Sequence, residues 1–208
     1  MSAAAPQGQP PAGVRETSLD DTPALHERID RVGFALLGGA TVMFFLGFVF
    51  AYFYLRSLNT NGLWRPAGVE PPTAYGLVIV ASLVLSALVF GWGARDAERG
   101  GGRWVAASGV ALALGLVAVI AQGFEYAHLG FGPESGGYAS VFIGWTSLYA
   151  VAVLLTMYRL EIALAVGIRN RRKTGSAAAP EGLVAGAAYW GLLAAIGLFA
   201  WVILYLVS

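Results

Sequence analysis

The chain has 208 residues, 57% of them hydrophobic and 12% charged, with a mean hydropathy of +0.66. A soluble domain carries about 25% charged residues. Here the charges fall in clusters separated by uncharged runs long enough to cross a bilayer, which excludes a soluble globular fold. Cysteine is absent, which excludes disulfides, iron–sulfur clusters, thiolate chemistry and a cysteine-ligated copper site.

Residues 1 to about 24 are rich in Pro, Ala, Gly and acids and have no apolar core of a signal peptide. Residues 1–30 read as a flexible tail, ending in a short amphipathic segment, Leu25 to Arg31, that leads to the membrane. Residues 31–208 read as one all-α membrane domain of five transmembrane helices. The first span covers about 32–55, with aromatic bulk in its second half. Gly33, Gly38, Gly39, Ala40 and Gly47 offer small patches for a neighbouring helix.

A polar, turn-rich loop follows, in which Trp64 is expected to anchor at the membrane interface. The second span covers about 73–94, with Ser82 and Ser86 on one face, set to bond back to their own helix or across to another. The third covers about 104–126. The fourth starts near residue 138, and its helical pattern runs to about 168, where the basic run RNRRK ends it. The linker TGSAAAPEG leads to a fifth span at about 183–207.

All Lys and Arg lie in the tail, the two–three turn and the stretch leading from span four to span five, except Arg56 and Arg65 in the one–two loop and Arg159 in the second half of the fourth helix. The positive-inside rule then places the N-terminus in the cytoplasm and the C-terminus outside.

The stretch Gln122 to Thr146, QGFEYAHLGFGPESGGYASVFIGWT, gathers most of the polar chemistry. Gln122, Glu125 and His128 are spaced by three and share a helical face. A carboxylate inside a span marks a proton or ion path by default, but Glu125 sits near a helix end. Three readings stay open for it: a polar contact to a partner helix or loop, proton handling, and a lipid-headgroup or inter-subunit contact. Thr41, Ser108, Thr146, Ser147 and Thr156 read as helix–helix hydrogen bonders rather than substrate ligands.

Of the two histidines, His26 is in the tail and His128 at a helix end, so no haem-ligating or carboxylate-rich metal pattern exists. No phosphate-binding loop, nucleophile elbow or zinc-protease motif is present. Internal repeats and polar groups at mid-membrane, the marks of a transporter, are missing too.

Taken together, these segments resemble the short, five-span form of haem–copper oxidase subunit III. VMFFLGFVFAYFYLR (Val42 to Arg56) resembles its first helix, QGFEY (Gln122 to Tyr126) its Q-x-x-E-[YW] segment, and YASVFIGWT (Tyr138 to Thr146) the Y-x-S-x-F-x-x-x-T start of its next helix. Tyr189 and Trp190 resemble the start of its last helix. The chain also departs from that pattern. Ala40 and Thr41 stand where a Ser-Glu pair is usual, Tyr149 and Ala152 at two histidine places, and Gly191 and Ala194 at a His and an Asp.

The resemblance implies an accessory, non-redox subunit of a terminal oxidase that reduces oxygen to water and moves protons. It would stabilise the catalytic subunit and bind phospholipid in a bacterial cell membrane. Haem and copper are expected in the partner subunits I and II, none in this chain, and no nucleic acid is involved. Gln122, Glu125, His128, Arg56, Tyr138 and Thr146 are the expected polar, structural or lipid contacts, with Arg56 a partner for Glu125 or for a lipid phosphate. Two other readings stay open: a subunit III-like protein of a nitric oxide reductase, and a stand-alone small transporter or scaffold.

Overall fold

A computed structural model describes residues 23–59, 62–175, 179–180 and 182–207. Five helices are long and apolar enough to cross a membrane: α1 (Pro23–Ser57), α2 (Thr73–Glu98), α3 (Trp104–Ala127), α4 (Gly137–Thr174) and α5 (Leu183–Trp201). A π-helical turn, Val202–Leu206, extends α5, and a short 3₁₀ turn, Pro133–Ser135, precedes α4. The chain is thus an all-α polytopic bundle.

Helices α2, α3, α4 and α5 form a ring in which each packs on its neighbours, and α1 lies outside it against α4 and α5. Burial follows from this placement. In α5, 44% of the most apolar stretch is buried within the chain, against 11% in α1.

Within this chain the small residues of span one are used at one place. A Cβ added at Gly33, Gly39 or Gly47 would meet nothing within 4 Å, and only Gly38 approaches another helix, at Leu192 of α5. A peripheral helix has one packed face, and aromatic rings fill it, while Phe44, Phe50, Phe53 and Tyr54 stay exposed on the other side. Phe45 packs edge-on to Tyr149, and Phe48 stacks on Trp145. A tighter glycine contact between helices lies at Gly93 of α2, whose Cβ would strike that of Ala107 in α3.

Two helix ends differ from the sequence expectation. Helix α1 starts at Pro23, so the last residues of the expected tail belong to the helix, while residues 1–22 lie outside the described residues. Helix α4 continues through the basic run to Thr174. Arg and Lys are good helix formers, and Arg171, Arg172 and Lys173 in the last turn suit the negative end of the helix dipole. Gly175 stops the helix in the left-handed region at φ 68°, with its N–H donating to the Arg171 carbonyl. The 38 residues of α4 reach about 57 Å at ~1.5 Å per residue, against a hydrocarbon core of about 30 Å. The helix therefore projects beyond the bilayer. Part of the expected linker, residues 176–178 and 181, lies outside the described residues.

The loop between α1 and α2 folds back over its end of the bundle. The Leu63 and Trp64 carbonyls accept the N–H groups of Gly137 and Tyr138, pairing two donors that the start of α4 would otherwise leave open. Trp64 is 7% exposed and meets Tyr52 edge-on at 5.0 Å and Tyr138 at 5.9 Å. It plugs the bundle end rather than anchoring at the interface. An aromatic ring after a span suits both places, and the backbone bonds to α4 decide between them.

Candidate functional site

The polar centre of the bundle lies at this same end. Gln122 and Glu125, one turn apart on α3, both face inward, at 7% and 0% exposure. Among the described residues Glu125 is the one buried carboxylate. Among the described residues it has no cationic partner, and two neutral donors hold it. The Gln122 Nε2 amide donates to its Oε2 at 2.6 Å, and the Tyr205 hydroxyl donates to its Oε1.

Tyr205 belongs to the π-helical turn that ends α5. A π turn adds a residue per turn and re-aims the side chains after it. Its carbonyls are used as well: the Tyr138 hydroxyl donates to Leu204 O at 2.6 Å. Phe142 packs edge-on to Tyr205, and Trp201 stacks on it. Gly76 of α2 leaves the room for this ring, since a Cβ there would meet it.

The neighbouring polar residues follow different rules. Tyr126, next to Glu125, reaches α4 and shares hydrogen bonds with Thr146 (2.8 Å) and Ser147 (3.0 Å). Thr146 itself donates back to Phe142 O. His128 is exposed at the end of α3, with its Nδ1 at 2.7 Å from Phe124 O and its ring stacked on Tyr75. The expected three-residue face therefore closes after Glu125, because α3 ends at Ala127. Arg56 does not pair with Glu125. Its guanidinium donates to Val207 O at 2.6 Å, joining α1 to the end of α5.

A second polar layer lies deeper. Trp190 donates from Nε1 to Ser86 Oγ at 2.9 Å, and Ser86 donates to Ala111 O at 2.7 Å, so α5, α2 and α3 meet at one node. Ser82 bonds back within its own helix. Tyr149 donates to Leu193 O at 2.7 Å, and Thr41 and Tyr189 share a bond at 3.0 Å. Two positions where the resemblance expects histidine and glutamate, Tyr149 and Thr41, thus carry hydroxyls that tie α4 and α1 to α5. Ser108 and Thr156 only bond back within their helices.

Sequence reasoning missed Tyr205, and with it half of the Glu125 site. It lies 80 residues away in a segment, WVILYLVS, with no feature beyond an aromatic near a span end. Trp190 and Ser86 were each visible, but no local signal links them.

Among the described residues no three His, Asp or Glu side chains come together, and His128 and Glu125 have separate partners. Chemically, the site can hold a proton and exchange hydrogen bonds, and it fixes the end of α5 against α3.

The fold and site define a polytopic helical membrane protein with a buried polar centre and no metal-ligating cluster among its described residues. A family profile described as "Cytochrome c oxidase subunit III" matches residues 16–208. The chain belongs to that family. It is similar to cytochrome c oxidase subunit 3 of Osphranter robustus, 26% identical over 190 residues that cover 88% of this chain and 71% of that one. The Pylaiella littoralis protein of the same name is 30% identical over 182 residues, 84% of this chain and 65% of its own. The Sus scrofa protein is 26% identical over 181 residues, 84% and 68%.

Proposed function

We propose that this chain is an accessory, non-redox subunit of a respiratory haem–copper oxidase. It packs beside subunits I and II, which carry the haems and copper, in a bacterial cell membrane, and it stabilises the catalytic subunit during oxygen reduction and proton translocation. One observation carries the reading: a member of the subunit III family gathers no metal-ligating cluster among its described residues, while its internal polar groups are spent on joining helices.

A bound phospholipid belongs to the proposal. A cleft of about 480 Å³ lies between α1, α4 and α5, lined by Phe34, Leu37 and Leu155 with Asp30, Arg159 and Tyr189 at its rim. The Arg159 guanidinium sits over Phe34 at 5.9 Å. A cation above an apolar slot suits a phosphate head and an acyl chain.

A tagged chain extracted in mild detergent is expected to elute with haem-containing partners, an a-type haem spectrum and bound phospholipid. A spectrum of b and c haems alone would move the chain to a nitric oxide reductase complex. A colourless chain eluting alone would overturn the accessory role.

The orientation follows from charge. Arg95, Arg99, Arg103 and the Arg169–Lys173 run lie at the N-terminal end of the bundle, which supports a cytoplasmic N-terminus. The absence of native cysteine makes this directly testable. In intact spheroplasts, Glu134→Cys should react with an impermeant maleimide, and Glu98→Cys only after permeabilisation. The reverse pattern would invert the topology.

A further inference from the structure

A cavity of about 30 Å³ lies between α2, α3, α4 and α5, beside the Glu125 site. Its lining is mainly apolar, and the lining residues that carry polar groups are Gln122, Trp145, Thr146, Tyr149, Trp201 and Tyr205. The indole N–H groups of Trp145 and Trp201 are both buried and have no hydrogen-bond acceptor among the described residues. A buried donor left unpaired costs about 1–3 kcal/mol, and both of these belong to side chains that line this one cavity, where a shared acceptor would pair them.

We propose that this cavity is a binding site for one or two water molecules that join the Trp145 and Trp201 indoles to the Gln122–Glu125–Tyr205 cluster.

Size and chemistry select the ligand. About 10–15 Å³ of such volume is enough for one water, so the cavity has room for two and for little else. The two N–H donors repel a cation. The Glu125 carboxyl, one hydrogen bond away through Gln122 or Tyr205, disfavours an anion. Water alone can accept from both indoles and still donate, here to the carbonyl of the Gln122 amide and the Thr146 oxygen. The proposal gives those residues one polar layer spanning α3, α4 and α5, with Glu125 at its edge. It does not depend on the oxidase reading, because it concerns groups inside this chain.

The test is ultraviolet resonance Raman spectroscopy of the full chain, purified with whatever subunits it binds. Wild type minus Trp201→Phe isolates one indole, and wild type minus Trp145→Phe the other. Both N–H-sensitive bands are expected at the hydrogen-bonded position and are expected to shift in D₂O. A free-indole position for both would overturn the site. Ala200→Val, which places methyl groups into the cavity wall, separates water from a protein acceptor. In that variant the Trp201 band should move to the free position, and a band that stays bonded would overturn the proposal. If Ala200→Val does not fold, density in the cavity of an experimental structure decides: ordered water supports the site, and an empty, dry cavity sinks it.

Discussion

Replacing Glu125 with alanine is expected to be among the most damaging single changes in this chain, and replacing it with glutamine is expected to be mild. The carboxyl group is fully buried and each oxygen takes one donor, from Gln122 and from Tyr205. Alanine strands both donors and leaves a void. Each stranded donor costs about 1–3 kcal/mol, with the void adding to it. Hydrogen bonds between membrane helices average nearer ~0.6 kcal/mol, because the separated helices find other partners. A net loss of about 2–4 kcal/mol is therefore expected.

Glutamine keeps the shape. Its carbonyl can accept from Gln122, and its amide can donate to Tyr205, whose hydroxyl then turns to accept. Tyr205→Phe should fall between the two, since it removes one donor and leaves the ring packed on Phe142 and Trp201. The measurement is the fraction of chain that stays monodisperse after a heating series in detergent. The order Ala, then Phe at 205, then Gln, from worst to best, is the expected result. If Glu125→Gln proved as damaging as Glu125→Ala, the carboxyl would be needed for more than its hydrogen bonds, and the neutral-donor account would fail.

That site shows how far the sequence could be read. The Gln122–Glu125 pair was legible because two polar residues one turn apart stand out in an apolar span. Tyr205 was not, because a π turn leaves no compositional mark, and the contact joins residues 80 apart. The five spans were legible because hydrophobic runs between charges reflect what the bilayer demands of any chain. The helix ends were less so. A bilayer limits the apolar run, not the helix, so α1 reaches back to Pro23 and α4 forward to Thr174.

Trp64 was misread, and Gly38 could not be told from the other α1 glycines, for a related reason. Residue type alone does not say which side of a helix has a neighbour, and the general rules for aromatics and glycines assume one. A serine hydroxyl in a membrane helix can bond back to its own helix or across to another, and residue type alone does not choose between them. The structure uses each once, Ser82 bonding back and Ser86 across.

The contact between α2 and α3 yields the second large expected effect. Gly93→Ala should destabilise the chain by about 1–3 kcal/mol, the usual result of adding a methyl to a filled interface. The added Cβ would strike the Ala107 Cβ, which sits on the opposing helix and has no torsion with which to move aside. The Trp104 backbone lies 3.4 Å away, so sliding the helices in that direction gives no relief. The turn just beyond is also fixed. Asp96 Oδ2 accepts the Arg103 N–H at 2.9 Å, and the Gly101 N–H donates to Asp96 O at 2.8 Å, which holds the two helices in register. A short, bonded turn cannot absorb a rotation of α2 against α3.

The clash is between two methyl groups, so moving the methyl from one helix to the other should undo it. Ala107→Gly alone removes a small buried group and costs little, because glycine is tolerated in membrane helices. Gly93→Ala combined with Ala107→Gly should recover most of the lost stability, with a coupling of at least about 1 kcal/mol in a double-mutant cycle. The heating series in detergent reads this directly. A double variant no better than Gly93→Ala alone would mean that the α2–α3 contact is looser than described, and that the glycine serves the backbone of α2 rather than its neighbour.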